Sequence, residues 1–365
     1  MRIGIITYHS AKNYGAILQC FALQSVLSQS GKFDVKVIDY TPSAFYNYFP
    51  NPKKLWEIPS NKTKLFYLLK WVLRKDQTEK EARKYEKLSH FIESRLPLTR
   101  KLQKNDLAAL NDEFDVFLTG SDQVWSLEMT DRDTAFLLDF AEKKKISYAA
   151  SAKLSSLTSE DVGLIKKYLS SFSHVSVRES DVCKLLNDIG IPAECDIDPT
   201  FLLDRPQWEK LIGNTSSELS DYVLVYYVNA PVNLVAKAFA YADRNGLKVV
   251  SLNRLKTSRD YYDFSDASIE EFIYLCKNAK CVFTTSFHGF AFSIIYNTNF
   301  FFETPDNSRN NNKRLLDLAE KLGVDGQDIN KNANLELNIR WNQVNTKLQE
   351  LRSNSIHRLL DYINN

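Results

Sequence analysis

Four short segments combine residue types suited to chemistry with a position just after an apolar run. Thr284-Thr285-Ser286-Phe287-His288-Gly289 follows Cys281-Val282-Phe283 and brings hydroxyls, an imidazole and a glycine together. An imidazole exchanges protons near neutral pH, so His288 is a candidate acid–base, although a structural histidine would satisfy the same pattern. Ser176-Val177-Arg178-Glu179-Ser180 carries a guanidinium able to grip a carboxylate or phosphate through two parallel hydrogen bonds; Glu179 or another carboxylate can equally neutralise it. Gly120-Ser121-Asp122-Gln123-Val124-Trp125 suits a saccharide, with polar side chains for hydroxyls and an aromatic face for the ring. Alternatively Ser121 or Asp122 caps a helix and Trp125 packs in the core. In Tyr8-His9-Ser10-Ala11-Lys12-Asn13-Tyr14-Gly15, Gly15 permits close backbone approach and Asn13 offers a donor and an acceptor. A single glycine is no phosphate fingerprint, and a plain turn remains the alternative.

These segments need elements that hold them at one edge of a sheet. Strands are predicted at Ile3–Thr7, Val35–Asp39, Asp115–Thr119, Ile146–Ala150 and Val175–Val177, with helices at Ala16–Ser28 and Ser180–Ile189, the latter closed by Gly190. A second alternating series follows Asp204-Arg205-Pro206. It has strands at Tyr222–Val228, Lys248–Leu252, Cys281–Thr284 and Asn299–Glu303. Its helices are Asn233–Asn245 and Ser268–Lys277, with Ser268 as N-cap. A last helix spans about Asn338–Ile363. Alternation of this kind predicts parallel sheets covered on both faces, with ligands bound beyond the carboxyl ends of the strands. The expected architecture is α/β, with two Rossmann-like doubly wound domains facing a cleft, residues 1–204 and 205–335, and a C-terminal helix over 336–365. Asp196-Ile197-Asp198-Pro199-Thr200 reads as a turn near the junction. Residues 51–104 read as a helical insertion rich in Lys, Arg and aromatics; it is either a solvated face or a contact for anionic lipids.

Composition narrows the function classes. With 44% hydrophobic and 25% charged residues the chain is globular, and no apolar run reaches the roughly 18 residues of a membrane span. Forty-seven basic against 45 acidic side chains give a net charge of +2, so no global field gathers nucleic acid. Five scattered cysteines form no Cys-x-x-Cys pair and predict reduced thiols without a metal. The short N-terminal apolar run is too brief for a signal-peptide core, and the expected compartment is the cytoplasm.

In this order, the segments resemble the polysaccharide pyruvyl transferase family. The resemblance rests on Asn13-Tyr14-Gly15-Ala16-Ile17-Leu18-Gln19, Gly120-Ser121-Asp122-Gln123-Val124-Trp125 and Tyr148-Ala149-Ala150-Ser151. It continues through Ser176-Val177-Arg178-Glu179, Asp198-Pro199-Thr200 and Ser286-Phe287-His288-Gly289. It implies a GT-B-like pair of domains and transfer of the pyruvyl group of phosphoenolpyruvate onto a saccharide or lipid-linked glycan, forming a ketal during cell-surface polysaccharide synthesis. No cofactor or metal is implied. His288 matches the family's histidine and Arg178 its donor-site arginine. The N-terminal domain becomes the acceptor side, with Asn13, Tyr14, Gly15, Asp122, Gln123 and Trp125, and the C-terminal domain the donor and catalytic side. Of the two readings of the basic aromatic insertion, a contact for anionic lipids would put the protein at the inner face of the cell membrane.

One position departs from the family: Ser286 stands where members often carry arginine. An anionic donor still needs cations in a desolvated site. Beside Ser286 and Phe287, the candidates are Arg254, Lys256 and Arg259 after the preceding strand, and Arg309, Lys313 and Arg314 after the following one; Arg309 is favoured. Two other functions fit the same loops: a glycosyltransferase using a nucleotide sugar, and a non-catalytic glycan-binding protein.

Overall fold

The computed structural model describes residues 1–48, 51, 54–58, 60–216, 218–228, 230–304 and 313–365. The chain divides into two compact units, Met1–Leu202 with Leu351–Asn365, and Leu203–Glu350.

In unit 1, β1 (Arg2–Ile6) leads through a polar loop into α1 (Tyr14–Gln29) and back to β2 (Asp34–Val37). The inserted segment holds α2 (Phe45–Tyr48), α3 (Asn61–Leu73) and α4 (Lys75–Arg95). Then come β3 (Val116–Thr119), β4 (Lys144–Ser147), α5 (Ser159–Leu169), β5 (Ser176–Val177), α6 (Ser180–Asp188) and β6 (Glu194–Cys195). The sheet order is β2-β1-β3-β4, all parallel, and the parallel β5-β6 pair continues it through bridges at Ile146–His174 and Ala150–Val177. Every residue of β3 is buried, as expected of a central parallel strand covered on both faces.

Unit 2 repeats the plan with α7 (Arg205–Ile212), β7 (Tyr222–Tyr226), α8 (Leu234–Asn245), β8 (Lys248–Ser251), β9 (Tyr262–Asp263) and α9 (Ile269–Asn278). It continues with β10 (Cys281–Thr284), α10 (Phe287–Tyr296), β11 (Phe300–Phe302) and α11 (Lys313–Leu322). Its parallel sheet runs β11-β10-β7-β8-β9. The caps follow the sequence: the Ser268 hydroxyl accepts the Glu271 amide while the Glu271 carboxylate accepts the Ser268 amide, and α8 ends on Gly246 at φ +64°.

The last helix, α12 (Trp341–Asn364), runs across the division at 350/351. Its end is fastened to unit 1 through Asp196. That carboxylate has no exposed side-chain surface; it accepts from the Ser355 hydroxyl at 2.8 Å, Arg358 Nε at 2.9 Å and the Ser176 hydroxyl at 2.6 Å. Removing one partner of a buried pair strands the others without compensation. Asp196→Ala should therefore lower stability by about 3 kcal/mol or more in chemical denaturation. A loss below about 1 kcal/mol would show that the cluster does not hold the helix.

Candidate functional site

The loops after the strands of unit 1 are tied together by polar side chains in its interior. Thr7, directly after β1, donates its hydroxyl to the Ser121 carbonyl at 2.9 Å and accepts Gln19 Nε2 of α1 at 2.9 Å. Gln19 Oε1 accepts the Ser121 amide at 3.0 Å, and the Ser121 hydroxyl reaches the Ala149 carbonyl at 2.6 Å. Gly120 sits at φ +111°, where a Cβ would lie 2.5 Å from the Tyr148 carbonyl oxygen, so only glycine lets the two loops approach so closely.

The same weave decides the fate of two expected contacts. Trp125 has no exposed surface and donates Nε1–H to the Phe136 carbonyl at 3.2 Å. It is core, which corrects its assignment as a sugar-stacking face. Arg178 is buried between Asp198, to which it is hydrogen-bonded, and Glu179 at 3.7 Å. Asp198 also accepts the Thr200 hydroxyl at 2.7 Å, and Glu179 accepts the Ser151 hydroxyl at 2.5 Å. Burial works against a charge on Arg178, but Asp198, Glu179 and Asp122 outweigh it and hold its pKa above the ordinary value. This is the neutralised arrangement, not the open one that a direct grip on a donor requires. The turn at 196–200 thus supplies one of the arginine's partners, Asp198.

Asn13 caps α1, accepting the Gly15 amide at 2.8 Å, while Tyr14 and Gly15 are buried and Lys84 Nζ lies 4.2 Å from the Tyr14 ring centroid. Of the expected acceptor contacts, Asn13, Asp122 and Gln123 keep partly exposed side chains. Asp122 adopts φ +71°, and its side chain accepts the Gln123 amide at 2.8 Å.

Beside these loops lies a cavity of about 540 Å³ whose lining includes His9, Lys12, Asp39, Tyr46, Tyr85 and Lys101. His9 is buried; its Nδ1 lies 3.3 Å from the Thr7 carbonyl and its Nε2 3.3 Å from Asp39 Oδ1. Burial would raise the Asp39 pKa, but the His9 hydrogen bond and charge, with Lys101 and Lys12, hold it below the usual carboxylate range. The sequence marks His9 within its loop, but its partner Asp39 lies 30 residues away. Carboxylates, amines and tyrosines share the walls, a lining suited to a polyhydroxylated ligand.

In unit 2 the wholly buried β10 delivers its loop to the start of α10. The Ser286 hydroxyl caps α10 by accepting the Gly289 amide at 3.4 Å, and the Ser286 amide donates to Thr284 Oγ1 at 2.9 Å. A Cβ on Gly289 would meet Thr284 Oγ1 at 2.4 Å and Tyr226 at 3.2 Å, so glycine is needed for helix and strand to pack here. His288 follows in the first turn of α10, 7% exposed, with the Phe287 ring edge-on at 5.3 Å. Arg314, on α11, places its guanidinium carbon 5.7 Å from the centroid of the Phe287 ring. Arg259 instead pairs at the surface with Asp243 at 2.5 Å, and Arg254 and Lys256 are exposed. Arg309, the cation favoured from sequence, lies outside the described residues, as does the side chain of Lys313. Among the described residues no group of three or more His, Cys, Asp or Glu is placed to hold a metal ion.

With the motif positions in place, the comparison with known families is decisive: residues 13–307 match the model of the polysaccharide pyruvyl transferases. The chain belongs to that family. Comparison with curated proteins by sequence gives no match. Among solved structures, UDP-GlcNAc 2-epimerase from Neisseria meningitidis bound to UDP-GlcNAc superposes with a TM-score of 0.52 at 10% identity, over 100% of this chain and 99% of that one. The Methanocaldococcus jannaschii UDP-GlcNAc 2-epimerase in complex with UDP-GlcNAc and UDP gives 0.51 at 14% identity, over 100% and 99%. At these identities the likeness establishes the fold alone, a GT-B-like two-domain α/β architecture. Family membership places the chain among transferases.

Lys12 offers a test of the cavity. Burial pushes its amine down to about 8, against Glu93 and Asp39 nearby, which act the other way. Between pH 8 and the ordinary 10.5 the unfolded chain holds the extra proton, so this group adds stability as pH rises through that window. At pH 8 roughly half of the Lys12 amine is neutral, against under ~1% of an ordinary lysine. Peptide-mapped acylation should show Lys12 reacting with a midpoint near pH 8, ahead of surface lysines. A midpoint above pH 10 would contradict a desolvated cavity wall.

Proposed function

We propose that the protein transfers the pyruvyl group of phosphoenolpyruvate onto two hydroxyls of a saccharide, giving a cyclic ketal and free phosphate. The methylene carbon gains a proton and becomes the methyl group. One sugar oxygen bonds to the central carbon, and the second displaces phosphate from it. The two hydroxyl protons balance the methyl hydrogen and the phosphate that departs. The reaction needs a proton donor near the methylene, a base for the hydroxyls, and cations for carboxylate and phosphate.

The observation that carries this reading is the His288 loop, at the carboxyl end of β10 and the start of α10 in a chain of this family. His288 supplies the proton to the methylene carbon and recovers one from the attacking hydroxyl. The anion is met by the positive end of α10, capped by Ser286, and by Arg314 beside Phe287. In this reading Arg314 supplies the charge that arginine at position 286 gives other members. The saccharide belongs to unit 1, with Asn13, Asp122, Gln123 and the His9–Asp39 cavity as its contacts. We place the reaction in the cytoplasm, in the making of cell-surface polysaccharide.

Mass spectrometry of saccharides incubated with the protein and phosphoenolpyruvate tests the reaction: the product should gain one pyruvate less one water, with one phosphate released. Sugar transfer from a nucleotide sugar, with no product from phosphoenolpyruvate, would overturn the reading. His288→Gln should keep the fold and lower turnover by roughly 10² or more. Arg314→Ala should raise KM for phosphoenolpyruvate about tenfold or more while leaving KM for the saccharide near its original value. A saccharide-only defect would remove Arg314 from the donor site.

A further inference from the structure

Helix α3 presents an apolar face to solvent. Ser60 caps it, accepting the Thr63 amide at 3.2 Å, and Lys70 fixes its orientation by donating to both oxygens of Glu81 on α4, at 2.7 and 2.8 Å. The remaining arc carries Leu65, Phe66, Leu68, Leu69, Val72 and Leu73, all exposed, with Phe66 at 60% and Val72 at 67%. Their spacing puts them on one side of the helix. The turn Leu55–Glu57 just before it leaves Trp56 72% exposed. A contiguous apolar surface of this kind on a folded protein marks a contact site.

Charge selects the partner. The thirteen residues of α3 contain Lys62, Lys64 and Lys70 and no acidic side chain, and Arg74 and Lys75 follow directly, both exposed. A helix with an apolar face, basic flanks and a nearby tryptophan fits the interface of an anionic bilayer, lying in its plane. At about 20 Å, α3 is too short to cross the roughly 30 Å hydrocarbon core. Among the described residues no helix is long and apolar enough to cross a membrane.

We propose that α3, with Trp56, docks the protein on anionic phospholipid membranes. Asn51, Lys54 and Glu57, immediately before α3, line the His9–Asp39 cavity. Docking would therefore bring that cavity to the surface where a lipid-linked saccharide lies. This consequence rests on the saccharide reading of the cavity; docking itself does not.

Vesicle co-sedimentation measures docking without turnover, so its failure and a failure of the pyruvyl transfer reading are separable. The full-length protein should bind phosphatidylcholine–phosphatidylglycerol vesicles at least about tenfold more tightly than phosphatidylcholine alone, and release at high salt. Leu69→Glu should weaken binding about tenfold or more, and Lys62→Glu with Lys64→Glu should remove the preference for anionic lipid. Thermal unfolding should be unchanged in these variants, because the substituted side chains do not lie in the core. Absence of binding, or binding indifferent to lipid charge, would overturn the proposal. So would a solution dimer, seen by light scattering, that Leu69→Glu dissociates.

Discussion

A guanidinium taken out of water must be answered by carboxylates, and much of unit 1 follows from that requirement. Arg178 leaves β5 into the interior, and Asp198, twenty positions on, is held beneath it by the short turn at Pro199–Phe201. Glu179 and Ser151 complete the cluster and join it to the loop after β4. One strand over, Thr7, Gln19 and Ser121 satisfy each other across β1, α1 and β3. Parallel strands end in backbone and side-chain polar groups that water cannot reach, so they must find partners in neighbouring loops. Removing one member leaves the others uncompensated, so these loops are coupled through their hydrogen bonds.

Burial separates the residues within the family motifs. The motifs of unit 1 bury Trp125 and Arg178 among the loops, while Asn13, Asp122 and Gln123 keep partly exposed side chains. In unit 2 the motif keeps its imidazole at a helix start, where a developing charge can be met. Ser286 serves as an N-cap, a contribution of about 1 kcal/mol to such a helix. Arg314 approaches this loop through the ring of Phe287.

Much of the fold was legible because strand and helix periodicities are local. The strand Cys281–Thr284 was read with its observed ends, and the Ser268 cap and Gly246 stop were visible as residue types at element ends. The two-residue strands β6 and β9 carry no such signal, because each pairs an exposed with a half-buried residue, whereas β5, equally short, is fully buried. The site was less legible because its partners are distant in sequence. An arginine after a strand looks the same whether Asp198 neutralises it or a phosphate does, and a tryptophan there looks the same in the core or on a rim. His9 gained significance only from Asp39, which nothing in its own loop announces. Arg314 is one of six candidate cations in the sequence, among which Arg309 is the favoured one, and its place over Phe287 distinguishes it from Arg259, which pairs with Asp243 at the surface.

The central claim is that donor chemistry resides in unit 2 while the arginine cluster of unit 1 is structural. Hydrogen–deuterium exchange with phosphoenolpyruvate added tests it most directly. Binding should slow exchange in the His288 loop and the first turns of α10 and α11, leaving residues 176–200 unchanged. Protection confined to residues 176–200, with the His288 loop unaffected, would contradict the account.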